Sequence, residues 1–209
     1  MRHPFLSILF LLLSVVASAQ TPWAPPAGIP TPDFGIVEVA PTPNYYVDYA
    51  AGSDLNPGTQ ASPKKTFPSV IPAGTVIQIK GEYPVNYEAP RTIVSQGTVT
   101  NPVYIIGGRH TQPWEISGTY LIMEKVVRGW MTFRAQPNGT DSHHLVVRDS
   151  EFVGGGVGIQ ASYSATGELH HVVALRLNIH DLGDMNATGD ADVVGLGVYR
   201  ERNHHIWFL

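Results

Sequence analysis

The chain has no cysteine, only 14% charged residues, and no excess of lysine and arginine over aspartate and glutamate, 13 against 17. Without cysteine there are neither disulfide staples nor thiolate ligands, so the fold must rest on its own core. So few charges argue against salt-bridged helices, coiled coils and helical bundles. A net charge of −4 denies general nucleic-acid binding its electrostatic basis. Long apolar runs are also missing: the one stretch of note, Phe5 to Val16, is shorter than the roughly 20 residues that a spanning helix needs. No G-x-S-x-G elbow, phosphate loop, dinucleotide fingerprint or H-E-x-x-H occurs, so those enzyme classes have no support.

Glycine and proline are plentiful instead, 21 and 17 of 209 residues, beside 43% apolar residues. That pairing predicts one domain of ordinary size, rich in turns and able to bury a core. Arg2 and His3 ahead of the apolar run, with Ala17-Ser18-Ala19 behind it, predict a secretory signal over residues 1–19. The expectation is a secreted or periplasmic protein with no membrane anchor after cleavage. Residues 20–44 carry TPWAPPAGIPTPDF and APTP, and read as an extended, proline-rich lead-in. Ordered structure is expected over residues 45–209. Gly52, Asp54, Asn56, Pro57 and Gly58 predict a tight loop that caps itself through Asp and Asn side chains, and Thr75 to Lys80 alternates as a half-buried strand should.

The second half repeats. SHHLVVRDSEF, LHHVVALRLNI and NHHIWFL place histidine pairs at 143/144, 170/171 and 204/205, offset by 27 residues (170 − 143) and then 34 (204 − 170). Short β-branched runs and glycine turns at such a period, with no helical pattern between them, predict a solenoid of stacked β-coils. NPVYIIGG at 101–108 and YLIMEKVV at 120–127 read as earlier coils; GVGIQA at 156–161 and VVGLGVY at 193–199 read as further sides. Aligning the repeats sets Leu145 above Val172 and Val147 above Ala174 as inward columns, with Val146, Val173 and Trp207 in an outward one.

The opening YYVDYAAGSDLNPGTQASPKKT, then AGTVIQIKGEY and NPVYIIGG, resembles the start of secreted parallel β-helix proteins of the pectate-lyase-like superfamily, and HHLVVRDSEFVGG resembles their coils. The resemblance spans residues 45 to 209. It implies an all-β, right-handed, single-stranded parallel β-helix, incomplete at its C-terminal end because HHIWFL stops where a coil should turn and continue. It also implies a protein that acts on or binds an extracellular polysaccharide, although this fold hosts several chemistries.

Four sets of residues are candidates for that role. The loop HDLGDMNATGDAD offers Asp181, Asp184, Asp190 and Asp192, hard oxygen ligands suited to calcium, although Asp and Asn also cap turns. Arg200, Glu201, Arg202 and His204 follow closely. Arginine forks can neutralise the carboxylates of an anionic glycan, and a basic side chain beside them can remove the proton next to a uronate carboxylate. Lyases of the family resembled use Lys or Arg as that base, often with calcium. Asp190, Asp192 and Glu201 are the carboxyl groups available to a glycosidase. The histidine pairs read as coil corners, or else as a metal or pH-sensitive ladder. Trp114, Trp130 and Trp207 could lay flat faces on sugar rings, Trp207 more so by strand parity. The expected function is a lyase or glycosidase acting on an extracellular anionic glycan, or alternatively a non-catalytic carbohydrate-binding or surface-adhesion module.

Overall fold

The computed structural model describes residues 40–83, 92–110, 112–136, 138–160, 167–182, 195–199 and 202–209, all of them strand, turn or irregular, with no helix. In chain order the strands are β1 (Tyr45–Asp48), β2 (Val70–Pro72), β3 (Val76–Glu82), β4 (Thr92–Gln96) and β5 (Val103–His110). Then come β6 (Trp114–Glu124), β7 (Val127–Arg128), β8 (Met131–Arg134), β9 (Ser142–Arg148) and β10 (Glu151–Val153). The last are β11 (Val157–Gln160), β12 (Leu169–Leu175), β13 (Asn178–His180), β14 (Leu196–Tyr199) and β15 (Asn203–Phe208).

All pairings between these strands are parallel, and they sort into three ladders. Ladder one joins β1, β3, β5, the second half of β6, β9, β12 and β15. Ladder two runs from the end of β5 through β7 and β10 to β13. Ladder three joins β2, β4, the first half of β6, β8, β11 and β14. The chain visits the ladders in rotation, an all-β arrangement compatible with a parallel solenoid. Parallel strands require crossovers, and here the other two ladders supply them.

The interior follows from the alternation of each strand. Val103, Leu121, Leu145 and Val172 stack in register, as do Ile105, Met123, Val147 and Ala174, and all are buried in one apolar cluster. The columns expected from the repeat alignment are therefore present. The opposite face of ladder one carries a second column, Val76, Tyr104, Ile122, Val146, Val173 and Trp207, in a separate apolar cluster where Val146 and Val173 are fully buried. Among the described residues Ala40 packs against that face. Beside it Glu124 and Arg148 occupy consecutive positions between Ile106 and Leu175, with Arg148 Nη2 and Nε donating to Glu124 Oε2 at 2.7 and 3.0 Å. Both are buried, so the column holds one ion pair capped by apolar residues.

Two corners bend through single residues in the left-handed region. Tyr120, His144, His171 and His205, with φ of 47°, 57°, 53° and 53°, turn the chain into ladder one. Lys125, Asp149 and Arg176, with φ of 56°, 48° and 50°, turn it into ladder two. Histidine is among the non-glycine residues that tolerate this region best, which accounts for its recurrence at 144, 171 and 205. The N-terminal loop caps itself as its composition predicts: Asp48 Oδ1 accepts from the Ala50 and Ala51 amides, and Asp54 Oδ1 from the Thr66 amide and hydroxyl.

Candidate functional site

The corner between ladders one and two carries the concentration of charge. Successive coils place Lys125, Asp149 and Arg176 at the bend, and Val127, Glu151 and Asn178 at the first position of ladder two. These residues, with Val126 and Ser150, line a surface cavity of ≈300 Å³. Strands in a ladder lie about 4.8 Å apart, so the backbones bearing Lys125 and Arg176 stand roughly 10 Å apart, with Asp149 between them.

The electrostatics of the cavity are specific. Arg176 grips Asp149 with a fork, Nε to Oδ1 at 2.5 Å and Nη2 to Oδ2 at 2.8 Å, which holds the Asp149 carboxyl below the usual carboxylate range. Lys125 Nζ lies 3.5 Å from Glu124 Oε1. At the far side His180 Nε2 stands 2.9 Å from Glu151 Oε1 and its Nδ1 3.1 Å from Asp181 Oδ2. The two carboxylates, Glu151 foremost, raise the pKa of His180. A carboxylate and an imidazole of raised pKa form a pair that can pass a proton, whereas Asp149 is committed to Arg176.

The histidine pairs form a second arrangement, at the corner entering ladder one. His143, His170 and His204 stack at centroid spacings of 5.1 and 4.9 Å; His144, His171 and His205 stack at 4.7 and 4.8 Å, with Tyr120 upon His144 at 4.5 Å. Within each pair the two Nδ1 atoms approach to 2.8, 2.6 and 2.5 Å, so one ring of each pair donates and the other accepts. Burial first, and then neighbouring imidazoles, lower the pKa of His144 to about 4 and shift His170 and His171 the same way. The coil-corner reading of these pairs describes their place in the chain. Among the described residues no group of three or more His, Asp or Glu side chains could hold a metal ion.

The residues singled out from sequence fall in several places. Asp181 follows β13 with φ of 55° and contacts His180. His204 is in the histidine stack, its Nε2 3.1 Å from Glu168 Oε2. Arg202 is exposed in the turn before β15, and its carbonyl accepts from the Leu169 amide. Trp207 is half-buried beside His171 and His205, and Trp130 is half-buried with its indole N–H donating to Thr132 Oγ1 at 3.0 Å. Asp184, Asp190, Asp192, Arg200 and Glu201 lie outside the described residues. Asp181 thus stands after ladder two, whereas Arg202, His204 and Trp207 stand where the chain enters and follows ladder one. Sequence reasoning missed Lys125, Asp149, Arg176 and Glu151. The signal was present in EKVV, RDSE and LRLN, which become equivalent once β6, β9 and β12 are aligned.

Comparison with protein-family models, with curated proteins and with solved structures finds no match.

Proposed function

We propose that this chain is a secreted or periplasmic, right-handed parallel β-helix protein of pectate-lyase-like kind that binds an anionic extracellular polysaccharide along the corner lined by Lys125, Asp149 and Arg176. The observation that carries this reading is the ≈300 Å³ cavity, where equivalent positions of three coils present cation, anion and cation in turn. Two cations about 10 Å apart on a rigid ladder suit carboxylates spaced along an extended glycan. Asp149 between them keeps the neutral state paired, and a uronate carboxylate competes with it for Arg176. Binding is favoured over cleavage at this corner because the Asp149 carboxyl is held ionised and occupied.

A lyase or glycosidase reading draws on a different observation, the contact of Glu151 with His180 at the edge of the same cavity. An imidazole of raised pKa beside a carboxylate is suited to general acid–base work near neutral pH.

The test is affinity electrophoresis of the full chain through gels containing polygalacturonate, with neutral dextran as control. Retardation by polygalacturonate alone, weakened by salt, is the expected result; equal mobility in both gels overturns the proposal. Release of unsaturated uronate from the same polymer, followed by its absorbance, assigns the lyase reading, and its absence leaves the binding one.

A further inference from the structure

We propose that the interior of the coil at Arg128 holds a small monovalent anion, of chloride or formate size, bound by Arg128 together with His110 and Trp114. Arg128 is paired across the ladder with His110 on β5 and with Phe152 on β10, and its side chain is 1% exposed, turned into the apolar interior. Its guanidinium carbon lies 3.2 Å from the centroid of the buried Trp114 ring, and His110 packs on the same indole at 4.3 Å.

The orphaned atoms of Arg128, Trp114 and His110 are all nitrogens, and the buried phenol of Tyr83 stacks on the same imidazole. Among the described residues Arg128 Nε, Nη1 and Nη2, Trp114 Nε1 and His110 Nδ1 have no hydrogen-bond partner. Guanidinium and indole nitrogens can only donate. The histidine follows from its neighbour: Tyr49 Oη stands 2.7 Å from His110 Nε2, and burial keeps the phenol protonated. Where that phenol donates to Nε2 the neutral imidazole carries its hydrogen on Nδ1, and where it accepts from Nε2–H the Nδ1 atom is an acceptor. Burial and the adjacent guanidinium hold His110 neutral, its pKa lowered to about 2. The cluster therefore presents a guanidinium whose charge burial disfavours, together with buried ring nitrogens that have no hydrogen-bond partner among the described residues.

Buried polar groups are rarely left in this condition, and a buried charge without a counter-charge is more costly still. The indole face offsets part of the charge but accepts nothing in the plane of the guanidinium fork. A water molecule would accept from two donors and leave the charge uncompensated. A small anion satisfies both requirements together. A cavity of ≈190 Å³ lined by Arg109, His110, Val127, Arg128, Gly129 and Val153 borders the same strands.

Bromide, an anomalous scatterer that replaces chloride, tests the site in the full chain. Crystals soaked in sodium bromide are expected to show an anomalous peak within hydrogen-bonding distance of the Arg128 guanidinium. Thermal melting of the wild type should rise saturably as chloride replaces gluconate at constant ionic strength, and this dependence should vanish in Arg128→Met. Should that variant not fold, the bromide map of the wild type decides alone. Peaks only at the surface, or a protein carboxylate seated on Arg128, overturn the proposal, as does a melting curve indifferent to chloride in the wild type.

Discussion

The imidazoles of His144 and His171 lie 4.7 Å apart and within 2° of parallel, one coil above the other. Close stacking of this kind belongs to neutral rings, because protonating both would set like charges face to face. The stack also meets Asp141 and Glu168, whose charges favour protonation of His143 and His170, but burial outweighs them. The folded pKa values of His143, His144, His170 and His171 lie below the ordinary 6.5, so at these four positions the unfolded chain binds the extra protons. Stability is complete above about pH 6.5 and declines as the pH falls toward about 4, the value for His144. Over that window the loss should be about 1–3 kcal/mol, or roughly 3–10 °C in Tm. Melting curves of the wild type and of His144→Asn with His171→Asn between pH 7.5 and 4.5 check this. The double variant, whose asparagines tolerate the bend, should show a flatter acid limb.

Glu124 and Arg148 make a different kind of contact, a buried ion pair between the apolar Ile106 and Leu175. Removing one partner strands a charge: Glu124→Gln should cost about 3–5 kcal/mol in a denaturant titration. The column itself is suited to carbon. Glu124→Leu with Arg148→Leu should recover most of that loss, since apolar neighbours stand above and below. An additive double variant, losing as much as the two singles together, would count against this account of the column.

The fork between Arg176 and Asp149 allows the proposed glycan contact to be tuned in both directions. Asp149→Asn releases Arg176 and adds a unit of positive charge to the groove, so polygalacturonate retention should increase several-fold at low salt. Lys125→Ala with Arg176→Ala should abolish most of it. Raising the ionic strength should shrink both differences, as expected of exposed charges. Half-saturation concentrations from affinity electrophoresis give the comparison, with the melting temperature of each variant as a check on folding. The pairs are exposed, so stability should change by less than about 1 kcal/mol.

How far the sequence disclosed this molecule depends on register. The paired histidines mark the same residue in β9, β12 and β15, so Leu145 over Val172 and Val146 over Val173 could be read off directly. The coil before them opens with Thr119 and Tyr120 and is offset by 24 residues (143 − 119), so the alignment ends there on inspection. Lys125 consequently stayed apart from Asp149 and Arg176, and the charged groove was missed. The Arg128 cluster was hidden for another reason. An arginine in KVVRGW reads as a surface charge, and only the pairing with His110 turns it inward. The burial of Val146 and Val173 was equally invisible, because parity says which face a residue occupies and not whether that face is covered.

The corner at His171 allows backbone preference to be separated from ring stacking. Its φ of 53° lies where a β-branched residue is strained, where asparagine is tolerated, and where histidine is tolerated and stacks as well. At pH 7.5 His171→Asn should lose the stacking with His144 and His205 and the Nδ1 hydrogen bond with His170, about 1–2 kcal/mol together, whereas His171→Val should lose these and about 1–2 kcal/mol of strain besides. Near pH 5 the stacking contribution of the wild type weakens, so His171→Asn should approach it while His171→Val remains well below. Denaturant midpoints at the two pH values distinguish the contributions. If the asparagine and valine variants behave alike at both, the left-handed bend is not what selects histidine at this position, and stacking alone must account for the repeat.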